Sequence, residues 1–136
     1  MRNLKSYGLL ALSLGMSLGS SLQAEPARRD YLCALSRLYE CSAEHGCAAG
    51  KISQANLPPF VEVDLDAMLI RSHGGAEEQR QSKILHLEEN AGTLLAQGME
   101  NGRAWGFAMH LRSQAFTMSA VESDRVFVVS GHCTNR

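Results

Sequence analysis

The stretch Thr93–Leu111, TLLAQGMENGRAWGFAMHL, decides the fold. Two runs of strand-forming residues meet at Asn101-Gly102. Asn-Gly between apolar runs specifies a two-residue type I′ hairpin turn, because both turn positions need a positive φ. The register follows from that turn. Glu100 faces Arg103, Gly98 faces Trp105, Ala96 faces Phe107 and Leu94 faces Met109. The large side chains of the second strand then share one face, opposite small residues of the first, and an aromatic beside a strand glycine covers bare backbone. Glu100 and Arg103 are expected to close the turn end as an opposite-charge pair, contributing about a few tenths of a kcal/mol.

Upstream, Met1–Ala24 has the layout of a secretory signal peptide. Arg2 and Lys5 form a basic start, Tyr7–Leu18 is apolar, and Ser20, Ser21, Gln23 and Ala24 make a small polar end. The apolar run is about a dozen residues, whereas a membrane-spanning helix needs about 20. Cleavage after Ala24 is expected, with a bacterial style of leader and export to the periplasm or beyond. Glu25–Arg136 then forms a single domain, with no membrane span in the mature chain. Of 13 Lys and Arg, two lie in the leader, leaving 11 against 14 Asp and Glu, a net of −3 with His neutral. That balance argues against a nucleic-acid partner, which would demand a basic face, and against an electrostatic hold on anionic membrane.

All four cysteines, Cys33, Cys41, Cys47 and Cys133, lie in the expected mature part. An even count in a small exported domain reads as two disulfides, for which three connectivities exist. Cys41–Cys47 with Cys33–Cys133 is preferred: the first staples a short loop, the second ties the first strand to the last. The alternative use of these thiols is a metal site with His45 and His132, disfavoured by the oxidising compartment and by a Cys41–Cys47 spacing wider than usual zinc pairs.

Between the cysteines the chain punctuates itself. Tyr31–Cys41 reads two ways. Period two puts Tyr31, Cys33, Leu35, Tyr39 and Cys41 on one face, broken by Arg37; period 3.6 gives a stripe of Leu32, Leu35, Leu38 and Tyr39. The cysteine pairing favours strand. Residues 51–56 make one helical turn, stopped at Leu57-Pro58-Pro59. Phe60–Asp64 alternates as a strand, and Met68–Arg71 pairs back after a turn at Leu65-Asp66-Ala67. Glu77–Gln81 is polar, either edge strand or loop. Lys83–Leu87 alternates, with Ile84 and His86 on one face and Leu85 and Leu87 on the other. Glu88–Gly92 turns the chain, with Asn90 and Gly92 suited to positive φ. After the central hairpin come Phe116–Val121, a tight turn at Glu122–Asp124, and Arg125–Ser130. About eight short strands joined by short turns predict an all-β domain, a small antiparallel up-and-down barrel or strongly bent meander.

The segments CALSRLYEC (33–41), NLPPFVEVD (56–64), QGMENGRAWGF (97–107) and VFVVSGHC (126–133), in this order and spacing, resemble a family of small exported proteobacterial proteins with no assigned activity. The resemblance covers nearly the whole expected mature chain. It implies β structure for Tyr31–Cys41 and for the meander, and carries no function. The architecture is also similar to other small periplasmic barrels, lysozyme inhibitors among them, in fold class alone.

No constellation of catalytic residues stands out. No serine sits in a Gly-x-Ser-x-Gly elbow, and paired cysteines are not nucleophiles. Glu62, Asp64 and Asp66 share a strand face and invite comparison with a cation site or acid–base pair, but such alternation is the ordinary solvated face of an amphipathic strand. Met99, Met109, Met118 and His110 are soft ligands close in sequence, yet Met109 and His110 point to opposite faces of one strand. Trp105 belongs to the core, with Phe107, Phe116, Phe127, Tyr31 and Tyr39 expected to fill it. The reading is a non-enzymatic binding or accessory protein of the envelope, without metal or cofactor, meeting another envelope protein through the hairpin tip Met99, Glu100, Asn101, Gly102 and Arg103. The alternatives are a carrier of a small apolar ligand in a barrel cavity, or a periplasmic metal-binding protein using His and Met.

Overall fold

The computed structural model describes residues 28–74 and 80–136. The expected leader Met1–Ala24 lies outside the described residues, as do residues 77–79 of the polar segment after Gly74. The strands are β1 (Asp30–Ser42), β2 (Gly46–Gly50), β3 (Phe60–Asp64), β4 (Leu69–His73), β5 (Gln81–Asn90), β6 (Thr93–Glu100), β7 (Arg103–His110), β8 (Ala115–Glu122) and β9 (Arg125–Asn135). The expected helical turn is a single 3-10 turn, Ile52–Gln54. All pairings are antiparallel, each strand from β3 to β9 pairs its neighbour in sequence, and β9 pairs β1. The result is a closed eight-stranded up-and-down barrel. β2 is an additional strand, folded back on the far half of β1, whose near half pairs β3.

The hairpin that organises the sheet has the expected register throughout, from Glu100↔Arg103 to Leu94↔Met109. Asn101 and Gly102 take φ of 49° and 78°, as a type I′ turn requires. Gly98 is where a side chain is forbidden. A Cβ there would run into the indole of Trp105 and the carbonyl of Lys83. The missing methyl lets the indole lie flat on the inner wall. The expected Glu100–Arg103 ion pair is replaced: the Arg103 guanidinium crosses to β8 and donates to Glu122 at 2.8 Å.

Two β-bulges alter the side-chain pattern that simple alternation predicts. In β1 the register slips between Leu35 and Arg37. The extra residue shifts the phase, so Leu38 turns inward opposite Val129 while Tyr39 is left 46% exposed. Tyr39 is therefore not a core residue. In β5 the slip falls between Ile84 and His86. Ile84 and Leu87 both reach the core, and Leu85 is 68% exposed. A bulge inserts one unpaired residue, bends the strand and increases its twist, which a closing barrel needs. β5 also runs on to Asn90, beyond the expected turn at Glu88. The positive φ values belong to Ala91 (48°) and Gly92 (78°), not to Asn90.

The core occupies one end of the barrel. Phe107 and Phe116 stack at 5.3 Å between ring centres, with Leu94, Met109, Val63 and Leu65 buried around them. The Cys33–Cys133 disulfide is buried in the same core and joins β1 to β9 across 100 residues of sequence. Cys41–Cys47 pins β2 onto β1. Both expected bridges are present, and no free cysteine remains.

Candidate functional site

Among the described residues the opposite end of the barrel is open. Here the β6–β7 and β8–β9 hairpins end, and residues 55–58 cross from the 3-10 turn toward β3. Between these connections lies a solvent-open cavity of about 330 Å³. Its wall is apolar, formed by Leu35, Ile70, Trp105, Met118, Phe127 and Val129. An eight-stranded barrel has just enough interior for its own side chains or one small ligand. This chain does both: Phe107 and Phe116 pack one end, and the core residues Ile70 and Trp105 also form the wall of a cup at the other. Phe127, expected among the residues that fill the core, lines the cup instead.

Alternation places the wall. Trp105 pairs Gly98 and Ala120, and all three point inward. Phe127 and Val129 occupy inward positions of β9, two residues apart. One polar group interrupts this surface. Ser82, buried on β5, accepts a hydrogen bond from the Trp105 indole N–H at 2.8 Å. The indole N–H, which costs free energy when buried without a partner, is thereby satisfied.

The rim is polar. Glu100, Asn101 and Arg103 from the β6–β7 tip line the mouth, with Glu122 and Arg80. Arg103 and Glu122 bridge β7 and β8 across it, and Arg80 donates to the Asn56 carbonyl at 2.6 Å. The expected contact surface therefore divides: Glu100, Asn101 and Arg103 border the cup, Gly102 forms the turn, and Met99 is exposed on the outer face. The cup itself was not legible from the tip residues. The available signal was the inward series of Trp105, Ala120 and Phe127, whose small middle member leaves a gap.

The acidic trio is not a simple solvated face. Asp64 is buried, and Arg71 lies over Glu62 and Asp64 at 3.3 and 3.1 Å. Arg136 reaches Glu62 at 2.9 Å, and Arg29 approaches Asp66 at 3.6 Å. The Ala67 backbone N–H, donated to Asp64 Oδ1 at 2.8 Å, is the main cause that holds this carboxyl below its ordinary range; burial opposes it, and Arg71 and Arg28 assist. These acids are committed to arginines and to a turn. The soft-ligand set does not converge either: Met109 is in the core, Met118 in the cup wall, and Met99 and His110 are exposed. Among the described residues no group of three His, Cys, Asp or Glu is arranged to hold a metal ion, and no helix is long and apolar enough to cross a membrane.

Comparison of the chain with known protein families, with curated proteins and with solved structures finds no match.

Proposed function

We propose that the protein is a non-enzymatic binding protein of the bacterial envelope that seats a small, mainly apolar ligand in the cup at the open end of its barrel. The observation that carries this reading is the cavity of about 330 Å³, apolar in its wall, polar at its rim and open to solvent. Its size falls in the range of small-molecule sites, roughly 300–1,000 Å³, and such sites share its combination of apolar lining with a few placed polar groups. The expectation of a fully filled interior favours a protein partner; an apolar cup of about 330 Å³ moves the weight to the ligand carrier. The binding reading is preferred over catalysis because, among the described residues, no histidine lines the cup, and the buried Ser82 hydroxyl faces an indole N–H rather than a base. An envelope location rests on the signal-like leader and on two disulfides, which persist in oxidising compartments.

Trp105 is the only tryptophan in the chain and forms part of the wall, so its emission reports on the cup. Titration of the disulfide-intact protein with n-butylbenzene is expected to give a saturable change in that emission. The change is expected to vanish in Ala120→Phe, which fills the cup from the position paired with Trp105. Flat titrations of the wild type with both n-butylbenzene and 2-nonanone, with the protein folded by circular dichroism, overturn the reading.

A further inference from the structure

We infer that the cup selects ligands that carry a hydrogen-bond acceptor where they meet Ser82 on its wall, and that the Ser82 hydroxyl is the specificity-determining donor. This inference rests on the proposed binding function and names the chemical class of the ligand. Three observations support it. Ser82 is 9% exposed and lines the cavity, so its hydroxyl belongs to the wall. Its oxygen accepts from the Trp105 indole at 2.8 Å, an N–H that can only donate. A hydroxyl has one proton and two lone pairs, so the Ser82 proton remains to be given. No bond donated by Ser82 Oγ is found among the described residues, while its backbone is engaged opposite Ile70.

Water can accept that proton while the cup is open. A wholly apolar ligand would displace the water and leave the donor unmatched, which is disfavoured in a buried site. A carbonyl, ether or carboxylate oxygen of the ligand set against Ser82 would replace it. The indole N–H polarises the hydroxyl in the same sense, since a donor to the oxygen makes its proton a better donor. Size sets the second half of the class. A dry cavity of about 150 Å³ admits benzene, so one about twice as large admits a molecule of roughly ten to twelve heavy atoms. The class is thus a compact apolar molecule bearing one acceptor, such as a medium-chain or aryl carbonyl compound.

The test compares 2-nonanone with n-butylbenzene, each of about ten heavy atoms, the second without a strong acceptor. Binding is measured by calorimetry on wild type, Ser82→Ala and Ser82→Thr. The indole N–H resonance of Trp105 is followed in parallel. The ketone is expected to lose about three- to tenfold in affinity in Ser82→Ala, and to recover in Ser82→Thr, while n-butylbenzene is unchanged or improves. The ketone, not the hydrocarbon, is expected to shift the indole resonance in wild type through Ser82. If both probes bind and Ser82→Ala weakens them equally or not at all, the selectivity inference fails and the cup stands. If Ser82→Ala does not fold, a ketone that leaves the wild-type indole resonance where the hydrocarbon leaves it overturns the inference on its own. If neither probe binds wild type, the proposed function itself fails, and the selectivity inference with it.

Discussion

Adding one methyl group at Gly98 tests the packing of the hairpin most directly. In the structure that methyl would occupy space held by the Trp105 indole and by the Lys83 carbonyl. The carbonyl belongs to a paired strand and has little freedom to move, so the indole must give way. Overpacking of this kind costs about 1–3 kcal/mol. A displaced indole also loses its bond to Ser82, worth about 1 kcal/mol. Against this stands the general gain of replacing glycine in a strand, about 0.5–1 kcal/mol. The net expectation for Gly98→Ala is a loss of about 2 kcal/mol. With a urea slope of about 1.5 kcal/mol per molar, the unfolding midpoint falls by about 1.3 M. Gly106 supplies the internal control. It lies on the adjacent strand but faces outward, and an added methyl meets only Ser119 Oγ at 3.8 Å. Gly106→Ala is expected to leave the midpoint unchanged or raise it slightly. Both variants are followed by Trp105 emission in urea, and Gly98→Ala is also expected to change the native spectrum. A wild-type midpoint for Gly98→Ala, or an equal fall for Gly106→Ala, would refute the reasoning.

Other consequences can be measured on the same protein. Replacing Gly102 with Ala puts a side chain at φ 78° and is expected to cost about 1 kcal/mol in the urea midpoint. Mild reductant is expected to open Cys41–Cys47 first, because Cys47 is exposed while Cys33 and Cys133 are buried; alkylation and peptide mapping at intermediate times identify the order. Full reduction of Cys33–Cys133 releases a loop of about 100 residues and is expected to cost about 4–5 kcal/mol, against roughly half of that for the short Cys41–Cys47 loop. The Asp64 carboxyl is held below its ordinary range in the folded state, so its contribution to stability is complete above the unfolded value of about 3.9 and is lost as pH falls toward the lower folded value. Asp64→Asn is therefore expected to flatten the fall in urea midpoint between about pH 5 and pH 3; an unchanged slope would show that Arg71 and the Ala67 amide do not act on this group.

What the sequence made legible depended on how local the determining physics is. Asn101-Gly102 sets its hairpin through two dihedral preferences, and everything in register with it was readable from 93 to 111. The cysteine pairing was readable because the even count and the strand order both constrain it. The bulges at Ser36 and Leu85 were not. An inserted residue looks like any other in an alternating run, and only closure of the barrel makes it necessary. Unbroken alternation therefore puts Tyr39 inside, three residues past the insertion at Ser36, and treats Leu85 as an ordinary member of its run, although Leu85 is itself the inserted residue. The cup was hidden for a related reason. Aromatic side chains were sufficient to fill the barrel by count, but volume is decided by where they sit, and Phe107 and Phe116 stack at one end. Asp64 illustrates a third case. Alternation predicted a solvated acid, and the arginine that covers it comes from the neighbouring strand, seven residues later.

The pairing of β1 with β9 also bears on when the molecule can fold. β1 presents one edge to β3 and β2, which follow it closely, and the other edge to β9 along nearly its whole length. A ribosome would release β1 long before its second partner. Until β9 emerges, the long edge of β1 has nothing to pair with and the aromatic half of the barrel has no seam. Contacts between residues this far apart in sequence are also slow to form, because the intervening chain must be confined before they contribute. The barrel of a chain built this way cannot close until its last strand is made. The same strand order that closes the barrel thus makes its seam the last part of the sheet that can form.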